Sequence, residues 1–74
     1  MKIGKVTARV TLGQCAQCLR NETVLQVELE GSGIFCLDRA GAKPGDRVLV
    51  VVGHAAGRYS METPADAVAV AVVE

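Results

Sequence analysis

Aromatic residues are nearly missing from this chain of 74 residues: it has no tryptophan, and Phe35 and Tyr59 are the single members of their kinds. Proteins that hold single-stranded nucleic acid stack bases on aromatic rings along a basic groove. Eight Lys and Arg balance eight Asp and Glu, so the basic excess is missing too. Nucleic acid is therefore not an expected partner. No apolar run approaches the roughly 20 residues a membrane helix needs, and no membrane partner is expected. The opening Met1-Lys2-Ile3-Gly4-Lys5-Val6 has no hydrophobic signal core. Three cysteines without an export signal suit a reducing, cytoplasmic setting. A second Cys-x-x-Cys knuckle, which would complete the usual zinc signature, is absent.

What the chain has is aliphatic: half its residues are hydrophobic, mostly Val, Ala and Leu. Its length allows one domain, residues 1–74. Such a chain buries only roughly 60–65% of its unfolded surface. There is more aliphatic surface than a barrel of this size can hide, so oligomerisation is expected. Residues 4–12 alternate, with Gly4, Val6, Ala8, Val10 and Leu12 on one parity, and read as a half-buried strand. Residues 13–22 read as a loop. Residues 23–30 alternate again, with Leu25, Val27 and Leu29 inward. Gly31-Ser32-Gly33 predicts the turn of a hairpin, completed by a strand over 34–38.

Residues 41–53 are the most informative stretch: a Gly- and Pro-containing turn feeds a Val- and Leu-rich run that ends at Gly53. Pro44 and Gly45 fit the central positions of a type II turn. The strand over 47–52 is apolar on both parities, which predicts cover on both faces. Residues 54–59 predict one short helical turn, 63–66 a loop, and 67–73 a last strand. In that strand Val68, Val70 and Val72 lie on one side, and Ala67, Ala69 and Ala71 on the other. The valines are candidates for a subunit interface. The fold class implied is all-β, a small five-stranded OB-like antiparallel β-barrel, with its first and last strands paired to remove an aggregation-prone edge.

Chemistry is sparse. Cys15-x-x-Cys18, Cys36 and His54 form a possible ligand set, separated by two, seventeen and seventeen residues, and zinc would want four such donors. The alternatives are a redox pair, for which a loop between strands is the wrong setting, or three reduced thiols with Cys36 as a small core hydrophobe. The last is favoured, and neither metal nor cofactor is expected. His54 has no nucleophile beside it and reads as a loop or capping residue. Asp38 and Asp66 read as side chains that bond loop N–H groups at strand ends. Glu28 and Glu30 read as a wet strand face. Arg58 reads either as solvated or as an ion-pair partner across a subunit boundary.

Several segments together resemble the EutN/CcmL family of bacterial microcompartment vertex proteins. They are the opening Met1–Val6, the segment Asp38–Gly53 with Gly45, Val48, Leu49 and Val50, the turn Ala55–Arg58, and the closing Pro64–Glu74. The resemblance covers about two thirds of the chain. It implies an OB-like barrel that assembles into a pentamer, closes the vertices of a polyhedral shell beside hexameric shell proteins, and has no active site. It also implies that Gly41, Ala42, Lys43, Pro44 and Gly45 form a loop near the ring axis. The chain departs from the family in a short first loop carrying Cys15 and Cys18. It has Gly41-Ala42-Lys43 where Gly-Ala-Gly is usual, and His54-Ala55-Ala56-Gly57-Arg58 where Ser-Ser-Ala-Arg is common. A ring of Lys43 side chains would favour anions in any central opening. A hydrogenase-maturation-type chaperone barrel is compatible with Gly45–Val50, but the N-terminal Met-Cys of that group is Met1-Lys2 here.

Overall fold

A computed structural model describes residues 1–15, 17–19, 22–60 and 66–74, without the side chains of Cys18 and Ser60. The loop expected at 63–65 and the family-like Pro64-Ala65 lie outside the described residues. Five strands account for just over half of the described residues: β1 (Lys2–Val10), β2 (Val24–Leu29), β3 (Ser32–Asp38), β4 (Arg47–Val52) and β5 (Ala67–Val73). A 3-10 turn, Gly53–Ala56, and a single α-helical turn, α1 (Gly57–Ser60), follow β4, and a further 3-10 turn spans Gln17–Leu19. No helix among the described residues is long and apolar enough to cross a membrane.

The strands close into a barrel in the order β1-β2-β3-β5-β4, with β4 returning to β1 through Lys2↔Val50, Ile3↔Leu49, Gly4↔Val48 and Lys5↔Arg47. The expected pairing of first and last strands is therefore corrected. β5 lies between β3 and β4, and it is β4 that seals against β1. Alternation within a strand reports which face is buried, but not which strand lies alongside. Four seams are antiparallel and the β3–β5 seam is parallel. Closure requires this, because neighbours around a ring with an odd number of strands cannot all alternate in direction. The parallel seam is also the shortest, pairing only Leu37↔Val68 and Asp38↔Ala69.

The β2–β3 hairpin turns at Glu30-Gly31, one residue earlier than expected, with φ of 52° and 82°. Two consecutive left-handed residues match the primed turn that suits the twist of paired strands. Ser32 and Gly33 belong to β3, where they pair with Leu29 and Glu28. β1 likewise begins earlier than its alternation suggests, because Lys2 and Ile3 pair with β4.

Apolar residues divide into two clusters. Val6, Leu25, Val27, Cys36, Ala42, Val48, Val50, Ala67 and Ala69 fill the barrel. Leu37, Val51, Ala56 and Val68 form a second cluster, with Leu19, Val24 and Val70 packed against it. Ala56 brings the 3-10 turn after β4 into that cluster. This explains why β4 is apolar on both parities: Val48 and Val50 face the barrel, and Val51 faces the second cluster. The same division sorts β5, with Ala67 and Ala69 inward and Val68 in the second cluster. A bulge leaves Val70 as the extra residue between the pairs Val50↔Ala69 and Leu49↔Ala71. Each fully buried valine or leucine contributes about 1.5–3 kcal/mol relative to exposure.

Candidate assembly loop and surface

The segment between β3 and β4 is a loop held by its own side chains. Asp38 ends β3, and its carboxylate accepts three backbone N–H groups: Oδ1 from Ala40 at 2.9 Å and Gly41 at 3.0 Å, and Oδ2 from Ala42 at 3.1 Å. Ala42 then enters the barrel core as a buried anchor. The Lys43–Asp46 turn closes through the Asp46 N–H, which donates to the Lys43 carbonyl at 3.0 Å, and Gly45 at its tip has φ of 96°. This is the geometry expected of Pro44-Gly45 in a type II turn. The Lys43 N–H donates to Asp46 Oδ2 at 3.1 Å. The loop is stitched to β1 in both directions, since the Gly45 N–H donates to the Val6 carbonyl and the Val6 N–H to the Asp46 carbonyl, both at 2.9 Å. Lys43 and Pro44 are exposed on this fixed frame. The reading of Asp38 as a loop-bonding carboxylate matches this geometry. Asp66 is exposed, and it is its main-chain carbonyl that accepts the Gly53 N–H, at 2.8 Å.

Arg39, which the sequence did not single out, ties three segments together. Its Nε donates to the Tyr59 carbonyl at 3.0 Å, its Nη2 donates to Glu22 Oε2 at 2.8 Å, and its Nη1 donates to Glu22 Oε1. Its main-chain N–H donates to the Ala69 carbonyl at 2.9 Å. The hydrogen bonds it donates to the Glu22 carboxylate hold the guanidinium even more firmly protonated than usual. The only hint in the sequence was position, because an arginine directly after a loop-capping aspartate lies where β2, α1 and β5 converge.

The possible metal ligands are dispersed. Cys36 lies in the barrel core, Cys15 is half-buried in the loop after β1, His54 is exposed just beyond β4, and the Cys18 side chain is outside the described residues. Among the described residues no three His, Cys, Asp or Glu side chains come together as a metal site. Burial, with the nearby Asp38 charge in the same direction, pushes the Cys36 thiol up to about 11, against the lowering effect of a hydrogen bond with the Ala69 backbone. At neutral pH it is a protonated thiol, and a thiolate is what a metal or a disulfide exchange requires.

The surface candidates separate in the same way. Val68 is 0% exposed and packed within its own chain, so it offers nothing to a neighbouring subunit. Its place in the proposed interface is corrected, because the turn after β4 already covers it. Val70 is partly covered by the same cluster, whereas Val72 is 40% exposed. Arg58 is exposed and lines a groove beside Met1, Val51, Val52, His54, Ala55 and Tyr59. The other exposed large apolar side chains include Ile3 and Phe35.

A closed barrel of this strand order, with a hydrogen-bonded loop between β3 and β4, defines a small OB-like β-barrel protein. The family described as "Ethanolamine utilisation protein EutN/carboxysome" matches residues 1–74, and the chain belongs to this EutN/CcmL family. Among solved structures it is similar to one titled "Ethanolamine utilization protein, EutN", at 26% identity and a TM-score of 0.90, covering 99% of this chain and 85% of that one. It is similar to CcmL of Nostoc sp. PCC 7120 at 30% identity and a TM-score of 0.84, covering 99% and 88%. It is also similar to the GrpN pentameric microcompartment shell protein from Rhodospirillum rubrum at 28% identity and a TM-score of 0.86, covering 100% and 94%. No curated protein sequence matches the chain.

Proposed function

We propose that this chain is a structural shell subunit that forms a pentameric ring and caps the vertices of a bacterial microcompartment. The observation that carries the reading is the family match from the first residue to the last, joined by likeness to a solved pentameric shell protein across that protein's own length. In this reading the whole chain works as one structural unit in the cytoplasm, beside hexameric shell proteins, without a cofactor and without a reaction of its own. The chemistry described above agrees with that. Asp38 and Asp46 are engaged by loop N–H groups, and the Cys36 thiol is held protonated. Residues Gly41–Gly45 form the axis loop, and Lys43 sets the charge of any opening.

Native mass spectrometry of the purified chain tests the reading. The expected species has five times the mass of the chain and persists on dilution into the low micromolar range. A single-chain mass at every concentration would overturn the shell reading.

A further inference from the structure

A closed ring with an odd number of identical subunits cannot be built from twofold contacts. Each subunit must present two different patches, one meeting the other on the next copy. Resting on the pentamer reading, we propose that these patches are the ring of Phe35 and the groove beside α1, so that Phe35 of each subunit enters the groove of the next.

Phe35 is the knob. It sits on β3 between the inward Ile34 and Cys36 and is 62% exposed. The lone chain thus leaves most of a large aromatic ring open to water, which a neighbouring subunit would cover. The hole is the groove lined by Met1, Val51, Val52, His54, Ala55 and Tyr59, with Arg58 beside them and a volume of about 510 Å³, ample for a phenyl ring. Two exposed apolar residues, Met1 and Tyr59, flank it, and Ile3, paired with Leu49, extends the apolar surface along β1. One opposite-charge pairing, Glu28 with Arg58, is available to this contact. Arg58 lines the groove, and Glu28 lies diagonally across the β2–β3 ladder from Phe35, which itself pairs with Gln26. Lys5 stands opposite Glu28 on β1, so the knob face carries a mixed pair and the groove a cation. A Phe35–Phe35 contact would instead make a twofold dimer, setting like against like. The knob and the groove lie at different seams of the closed barrel, β2–β3 and β4–β1, so one subunit can offer both at once, as a head-to-tail contact needs.

The test uses two variants of the full chain at exposed positions. Phe35→Asp removes the knob, and Ala55→Glu fills the groove. Native mass spectrometry should find each alone as a monomer, with at least about a tenfold rise in the concentration needed for assembly, while far-UV circular dichroism stays that of the wild type. Mixed one to one, they should form heterodimers and nothing larger, because only one intact knob can meet one intact groove. Phe35→Leu should keep the ring. A wild-type ring that survives Phe35→Asp or Ala55→Glu, or monomeric variants that fail to pair when mixed, would overturn the proposal and leave the shell reading standing. A wild-type chain that forms no ring would overturn the shell reading itself.

Discussion

Asp38 shows how one side chain can shape a whole loop. Its two oxygens satisfy three consecutive donors that β3 leaves behind as it ends, so Gly41 and Ala42 are placed without further secondary structure. Asp38→Ala strands those N–H groups. It should lower the free energy of unfolding by about 2–4 kcal/mol in a urea titration, with Asp38→Asn recovering part of the loss. Cys36 makes a second prediction. Its folded value of about 11 lies above the ordinary 9.0, so the unfolded chain releases the proton first as pH rises. Its contribution is complete below about pH 9 and is lost between about 9 and 11, amounting to up to about 3 kcal/mol. Cys36→Ala should be less stable at neutral pH and lack that decline, as read from unfolding curves at stepped pH. The roles of Asp38 and Cys36 were legible in the sequence, because a loop-edge aspartate and a cysteine in an alternating strand have few alternatives. Arg39 and Phe35 were not, because their roles depend on segments that meet only in three dimensions.

Within each strand, the sequence carried the pattern of faces well and the boundaries less well. Leu25, Val27, Val48 and Val50 fall inside as their alternation requires, and the double-sided cover of β4 follows from a run with no polar side. The hairpin turn moved to Glu30-Gly31 because Glu30 adopts a left-handed conformation that its residue type does not advertise. The neighbours of β5 could not be read, since β4 follows β3 in sequence but pairs with β1, which leaves the place between β3 and β4 for β5. At Gly4, β1 lies close against β2. A Cβ there would collide with the Val27 side chain and lie 2.9 Å from the Glu28 carbonyl oxygen, a backbone atom that cannot swing aside. Gly4→Val should therefore cost about 3 kcal/mol or more, seen as a thermal midpoint lowered by roughly 10 °C or more. An unchanged midpoint would mean that β1 is free to shift along β2.

For the molecule as a whole, the resemblance carried the expectation of a ring, and composition supplied the reason for one: an aliphatic chain too small to hide its own apolar surface. The valine side of β5 was the natural place to look for the contact, yet Val68 is consumed within the subunit. The exposed apolar surface that remains includes Val72, Phe35 and the groove beside α1. In the proposed ring Lys43 lines the central opening, where it would bear on the assembled particle rather than on its formation. Lys43→Glu should preserve the ring mass in native mass spectrometry while reversing the anion preference of the opening in single-channel recordings of reconstituted rings. Loss of the ring would place Lys43 in a subunit contact instead.

The odd number of strands has one more effect. Because β5 is wedged between β3 and β4, with two paired residues on one side and six on the other, the C-terminal strand acts as a keystone. A chain ending before Ala67 would not make a slightly smaller barrel. It would leave β3 and β4 facing an empty slot, expose Cys36 and Val50 to water, and strip the second cluster of Val68. During synthesis the earlier strands must therefore wait, incomplete and adhesive, for the last residues to emerge, and ring formation cannot begin on a partly made chain.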